Sequence, residues 1–291
     1  MINAQQIIIL TPLFNVNIPN NAMIFFGWLM RIAAMEALPV DAIYESISQV
    51  EPRPLTPTFE EIGFDHHLIL NNFGTLGFAF ALLPFLYLVH AFAQQCNGVR
   101  CCRRFEKSLG KQIYWGTFLR LVIEGYLIGL ICCLINLQDL ELDSSNKWTQ
   151  ANAIIACCVT PLLVLFPGIS VFLMVKHRSS LEHPRMTEKF GEMTTGFNLD
   201  EKYVFLYWTL EYVRKGCLAL VVVLTNEHLW LQMLTLFMLS ILLIIVGGWT
   251  NARKDRFDRN MDMFNECKLI YIMYHMMLFT DFVPQPETQN Q

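Results

Sequence analysis

This chain predicts an all-α, polytopic transmembrane helical bundle of about six spans with interfacial helices. Three observations carry that prediction. Hydrophobic residues make up 54% of the 291 residues and charged residues only 16%, against about 45–50% and about 25% in soluble proteins. The apolar excess is gathered into runs of about 20 residues, the length that crosses a hydrocarbon core of ~30 Å. Basic residues also alternate from loop to loop. Loops 93–111, 176–202 and 250–268 hold five Lys or Arg each, whereas 36–66, 138–147 and 225–228 hold one, one and none.

Residues 1–66 contain no clear span. Met23–Met35 is apolar but short, carries Arg31 and lies between Pro19 and Pro39, so it reads as a docked or interfacial helix. Glu36–Asp65 has seven acids, one base and Pro52, Pro54 and Pro57, the composition of an acidic extended linker. The spans then follow as His67–Phe92, Gln112–Leu137, Trp148–Val175, Tyr203–Leu224, Leu229–Trp249 and a short sixth, Cys267–Val283. Proline inside a helix removes a backbone hydrogen bond, so Pro84, Pro161 and Pro167 mark expected kinks. Asn251–Glu266 reads as an interfacial helix before the sixth span, with Arg253, Arg256 and Arg259 on one side and Phe257, Met261 and Phe264 on the other. The domains are thus 1–66, an outer-side docked segment with its linker; 67–283, the transmembrane domain; and 284–291, a polar tail.

The positive-inside rule makes loops 93–111, 176–202 and 250–268 cytoplasmic and puts 1–66 and the tail outside, as in an integral protein of the cell surface. Trp115, Trp148, Trp208, Trp230 and Trp249 fall near span ends, where an aromatic belt is expected. No basic n-region opens the chain, so no cleavable signal peptide is expected. Net charge is only −4, which gives nucleic acid no footprint.

The residues that carry chemistry are charges where a membrane tolerates few. Arg120 and Glu124 lie four apart inside Gln112–Leu137, on one helix face. Glu211, Arg214 and Lys215 repeat the device inside Tyr203–Leu224. A charge at the bilayer centre costs about 2.5–3.5 kcal/mol on insertion scales, so such residues face protein or a water-filled cavity. The two spans run the same way, and Arg120 and Glu211 lie at about 12 Å depth, so all five charges can share one intramembrane polar layer. Ser170 and Ser240 reach a similar depth. The layer fits two roles: an ion or proton pathway with its gate, or an interhelical salt-bridge network that sets helix register. Arg214 and Lys215 are adjacent, unlike the every-third-residue pattern of a voltage sensor, and no potassium-filter run is present.

Other candidates are weaker. Cys101 and Cys102 sit in a basic juxtamembrane loop, as acylated cysteines do, although free thiols read the same. His66–His67 at a helix mouth fits polar capping as well as metal binding, and no metal-ligand spacing is present. Arg253, Arg256, Arg259 and Lys268 are candidate contacts to anionic lipid, and positive-inside retention explains them too. Gly247–Gly248 reads as a close packing contact or a hinge. No metalloprotease, hydrolase, Walker or dinucleotide motif occurs, so neither catalysis nor a cofactor is expected.

Several short stretches also resemble a family. Ile2-Asn3-Ala4-Gln5-Gln6-Ile7, Pro12-Leu13-Phe14-Asn15-Val16 and Pro19-Asn20 are similar to the opening of the membrane region in large ciliate membrane proteins. Those proteins carry extracellular cysteine-rich, furin-like repeats and a region similar to the transient-receptor-potential (TRP) C-terminal domain. Gly63-Phe64, Asn72-Phe73-Gly74, Leu119-Arg120-Leu121, Glu124-Gly125-Tyr126-Leu127, Lys189-Phe190-Gly191, Asn265-Glu266 and Phe279-Thr280-Asp281-Phe282-Val283 extend the likeness. The resemblance implies a TRP-like channel or channel-related subunit among membrane lipids, in a homo-oligomer or with other membrane subunits. That channel reading, with the five charges as its polar layer, is the leading expectation. The alternative is a non-conducting structural or accessory subunit, which two departures favour: the cysteine-rich ectodomain is absent, and the chain stops soon after Val283.

Overall fold

The computed structural model describes residues 2–14, 16, 18–33, 50–95, 116–181 and 183–280. Among them every regular element is a helix, apart from one isolated antiparallel bridge between Phe197 and Arg253. In chain order these are α1 (Ile2–Leu10), α2 (Asn20–Ala33), α3 (Pro57–Ile62), α4 (Ile69–Gln95) and α5 (Phe118–Gln138). They continue as α6 (Lys147–Lys176), α7 (Pro184–Thr194), α8 (Val204–Leu224), α9 (Leu229–Trp249) and α10 (Arg256–Met276).

Local chemistry sets several helix ends. Proline at the first position opens α3, and Gly63 closes it with φ +99°, a left-handed conformation that glycine adopts without steric cost. Asn146 caps α6 by accepting a hydrogen bond from the Trp148 amide at 2.9 Å.

Two helices form the centre. α5 packs against α4, α6 and α8, while α8 packs against α5, α6 and α9. They run in parallel: Tyr126 meets Tyr212 edge-on at 5.2 Å between ring centroids, and twelve residues further along α5 Gln138 Nε2 donates to the Val223 carbonyl at 2.9 Å. Phe166 of α6 and Trp208 of α8 complete an aromatic cluster with these tyrosines. At one end, asparagines tie α4, α5 and α6 together. Trp148 Nε1 donates to Asn71 Oδ1 at 3.1 Å, the Leu70 amide to Asn152 Oδ1 at 2.8 Å, and Asn136 Nδ2 to the His67 carbonyl at 2.9 Å.

Apolar side chains also cover the outside. Trp230, Leu234, Met238, Leu242, Ile245 and Trp249 form an exposed stripe along α9 at intervals of three or four. In water such a surface is a liability; against lipid chains it is the normal exterior. Trp230 and Trp249 sit at the two ends of that stripe, whereas Trp208 is buried in the aromatic cluster rather than in an interfacial belt.

Against six expected crossings, three helices among the described residues, α5, α6 and α9, are long and apolar enough to cross a membrane. α4 spans Ile69–Gln95, with Gly74 at φ 47° and ψ −128° off the helical path and Gly77–Phe92 as its apolar stretch among the described residues. α8 carries three charges in its middle. The expected interfacial helix 251–266 and short span 267–283 are joined: Arg256–Met276 is one continuous helix, α10, whose first half is polar, and 281–283 lie outside the described residues. Of the expected kink sites, Pro84 lies inside α4 and Pro161 and Pro167 inside α6; α4 also departs from helical dihedrals at Gly74.

Candidate functional site

α8 and α10 start beside each other. The Asn198 amide donates to the Ala252 carbonyl at 2.8 Å and the Lys254 amide to the Gly196 carbonyl at 2.9 Å, so the segments leading into the two helices are stitched together. Arg214 lies ten residues past Val204, and Glu266 ten past Arg256, which puts both about 15 Å along their helices. There they form an ion pair between Arg214 Nη1 and Glu266 Oε2, with Arg214 only 1% exposed.

One turn nearer the shared start, Arg253 enters from the loop before α10. Its Nε donates to Asp262 Oδ2 at 2.5 Å and its Nη2 approaches Glu211 Oε1 at 3.6 Å. The guanidinium also lies 4.3 Å from the Phe197 ring centroid. Burial works against its charge, but Glu211 and Asp262 outweigh that and hold Arg253 above the ordinary arginine range. Tyr207 Oη donates to the same Asp262 oxygen at 3.5 Å. Packing is close at Gly247, where a Cβ would meet the Tyr207 ring at 3.0 Å.

One residue past Arg214, Lys215 is fully buried. Its Nζ donates to Gln6 Oε1 at 3.4 Å and lies 5.4 Å from the Tyr212 ring centroid. Gln6 Nε2 in turn donates to the Glu124 carbonyl of α5 at 2.9 Å. The short helix α1 packs on α10 and so carries Gln6 into the space between α5 and α8.

The five expected polar-layer residues therefore separate into two groups. Glu211, Arg214 and Lys215 are buried together. Arg120 and Glu124 pair with each other at 2.9 Å at the periphery, with the Arg120 side chain 61% exposed, and only the Glu124 backbone joins the layer through Gln6. Sequence reasoning missed Asp262, Glu266 and Gln6. One signal pointed to the acids: the five expected charges held three bases and two acids, leaving a buried cation in need of a carboxylate. The layer as found balances Arg214, Lys215 and Arg253 against Glu211, Asp262 and Glu266.

Ser170 and Ser240 are both buried, and the Ser240 hydroxyl makes no hydrogen bond. Of the four basic residues expected at anionic lipid, Arg253 turns inward, as described, because two carboxylates attract it. Arg259 Nη1 donates to Asn251 Oδ1, Lys268 lies 5.0 Å from the Phe264 ring centroid, and Arg256 is exposed. His66 and His67 are buried at the asparagine-tied end. Cys101 and Cys102 lie outside the described residues. Comparison of the chain with protein-family models, curated proteins and solved structures gives no match.

Proposed function

We propose that this chain is a membrane-embedded, TRP-like structural or accessory subunit of a larger membrane assembly, and that its deep charges form an internal clasp rather than an ion path. One observation carries the reading. Each deep charge of α8 ends on a polar partner from another element: Glu211 on Arg253, Arg214 on Glu266 and Lys215 on Gln6. A charge that lines a conduction path must exchange with water or with the passing ion. A charge bound into a dry pair sets helix register, and removing its partner is costly. The competing reading, a TRP-like ion channel, expects Glu211 and Lys215 to face an aqueous cavity.

As part of this proposal, α4, α8 and α10 cross the bilayer beside α5, α6 and α9. At 21 residues, α8 and α10 reach about 31 Å. Their charged segments are tolerated because they face one another. The end that carries loops 176–202 and 250–255 faces the cytoplasm of a surface membrane, as its basic residues direct. Membrane lipids and other copies or subunits are the partners; no catalytic role is assigned.

Reconstitution tests the reading. Purified full chain in liposomes is expected to give no cation flux above empty vesicles. Flux that scales with protein and disappears on substitution of Glu211 would overturn it in favour of the channel.

A further inference from the structure

Outside the clasp, Lys176, Arg178 and Asp200 line one cavity where α6 meets the polar end of the bundle. The Arg178 donors are turned to backbone carbonyls, which leaves Lys176 and Asp200 as the two charged side chains open to a ligand. α6 presents Ile169, Phe172 and Val175 on its exposed face and ends at Lys176. Beside that end lies a cavity of about 460 Å³ lined by Val175, Lys176, Arg178, Ser179, Leu199 and Asp200. Arg178 fixes its walls. Its Nε and Nη2 donate to the Leu199 carbonyl at 3.2 and 2.9 Å, and Nη2 also reaches the carbonyls of Asp200 and Glu201 at 3.1 and 2.9 Å. These bonds hold the backbone of 199–201 beside Arg178, with Lys176, Ser179 and Asp200 exposed around the cavity.

Lys176 and Asp200 are not consumed by the fold. The Lys176 ammonium lies 5.8 Å from the Phe172 ring centroid and forms no ion pair among the described residues, and neither does the Asp200 carboxylate. A simple anion drawn to Lys176 and the neighbouring Arg178 charge would leave Asp200 without a counter-charge. A simple amine drawn to Asp200 would be opposed by Lys176. A zwitterion with a phosphate and a primary ammonium satisfies both, with Ser179 as a further donor to the phosphate. The apolar face of α6 runs directly into this cavity, which is where the acyl chains of such a molecule need to lie.

We propose that this cavity binds the headgroup of an ethanolamine-type phospholipid. The phosphate accepts from Lys176 and Ser179, the ammonium donates to Asp200, and the acyl chains follow Phe172 and Val175 along α6. A choline headgroup has no N–H to donate, a glycerol headgroup has no cation, and a serine headgroup brings a second carboxylate against Asp200. The proposal rests on the membrane-embedded reading of α6 and is independent of whether the chain conducts, so a flux result leaves it standing or falling on its own.

The full chain in detergent is titrated with phosphatidylethanolamine, phosphatidylcholine and phosphatidylglycerol of identical acyl chains, with bound lipid counted by native mass spectrometry. Phosphatidylethanolamine is expected to bind about tenfold tighter than either, the worth of one charge-assisted contact. Asp200→Asn should erase its advantage over phosphatidylcholine, and Lys176→Gln should weaken phosphatidylethanolamine and phosphatidylglycerol alike. Lys147→Gln, a change of the same charge at the exposed opposite end of α6, should leave the preference intact. Equal binding of the three lipids, or a preference untouched by Asp200→Asn, overturns the proposal. Soluble glycerophosphoethanolamine binding as tightly as the lipid overturns it too, because the α6 face then contributes nothing.

Discussion

Arg214 on α8 and Glu266 on α10 are 52 residues apart in the chain and meet as a buried ion pair, each about 15 Å into its helix. That contact joins a helix that reads as a span from its sequence to one whose first half does not. Taking one charge away leaves the other stranded in a dry site. Glu266→Ala is expected to destabilise the fold by about 3–5 kcal/mol, and Arg214→Ala by a similar amount. Denaturant unfolding in detergent micelles checks both.

Arg253 reaches two carboxylates at once, Asp262 through Nε and Glu211 through Nη2. A lysine offers a point charge in place of this fork, so Arg253→Lys should recover little of what Arg253→Gln loses. Both variants should loosen the stitched segments 196–198 and 252–254, which backbone hydrogen exchange reads directly. Exchange there equal to that of the native chain would show that Arg253 does not hold this end together.

The polar layer was partly legible in the sequence. Glu211 and Lys215 lie four apart inside the otherwise apolar run Tyr203–Leu224, which exposed α8 as the host of buried charge. The parallel pairing of α5 and α8 followed from loop charge alternation, and Tyr126–Tyr212 with Gln138–Val223 bear it out. α10 was hidden for a physical reason. Asp262 and Glu266 make its first half look like surface, and only their neutralisation by Arg253 and Arg214, a tertiary effect, lets it enter the bundle. Gln6 was hidden because a nine-residue helix is only about 13 Å long, too short to register as a span. The departure of α4 at Gly74 was not legible, because a lone glycine inside an apolar run does not announce the positive φ it adopts there.

Gln6 links α1 to both central helices, accepting from Lys215 and donating to the Glu124 carbonyl. Gln6→Leu keeps the bulk but leaves those polar groups without this partner. It should cost about 1–3 kcal/mol and raise hydrogen exchange across Ile2–Leu10 before the rest of the bundle opens. Exchange in α1 that rises only together with global unfolding would show that Gln6 does not hold the helix in place.

Gly247 and Gly248 are neighbours with different surroundings. A Cβ at Gly247 would lie 3.0 Å from the Tyr207 ring, whereas at Gly248 the nearest atom is the Met263 methyl at 3.8 Å. Gly247→Ala should therefore destabilise by about 1–3 kcal/mol through overpacking, and Gly248→Ala should be close to neutral or mildly stabilising. A hinge would instead make both substitutions alter dynamics with similar weight.

The central claim is that the deep charges exist for one another, and a double-mutant cycle on Arg214 and Glu266 tests it most directly. With Arg214→Met, Glu266→Met and the double variant measured by the same unfolding assay, the account predicts two damaging single changes. The double variant should be as stable as the native chain within about 1 kcal/mol, since apolar side chains replace a buried pair without leaving a charge behind. Additive losses, with the double variant as damaged as the sum of the singles, would contradict the clasp and mean that each charge serves something other than its partner.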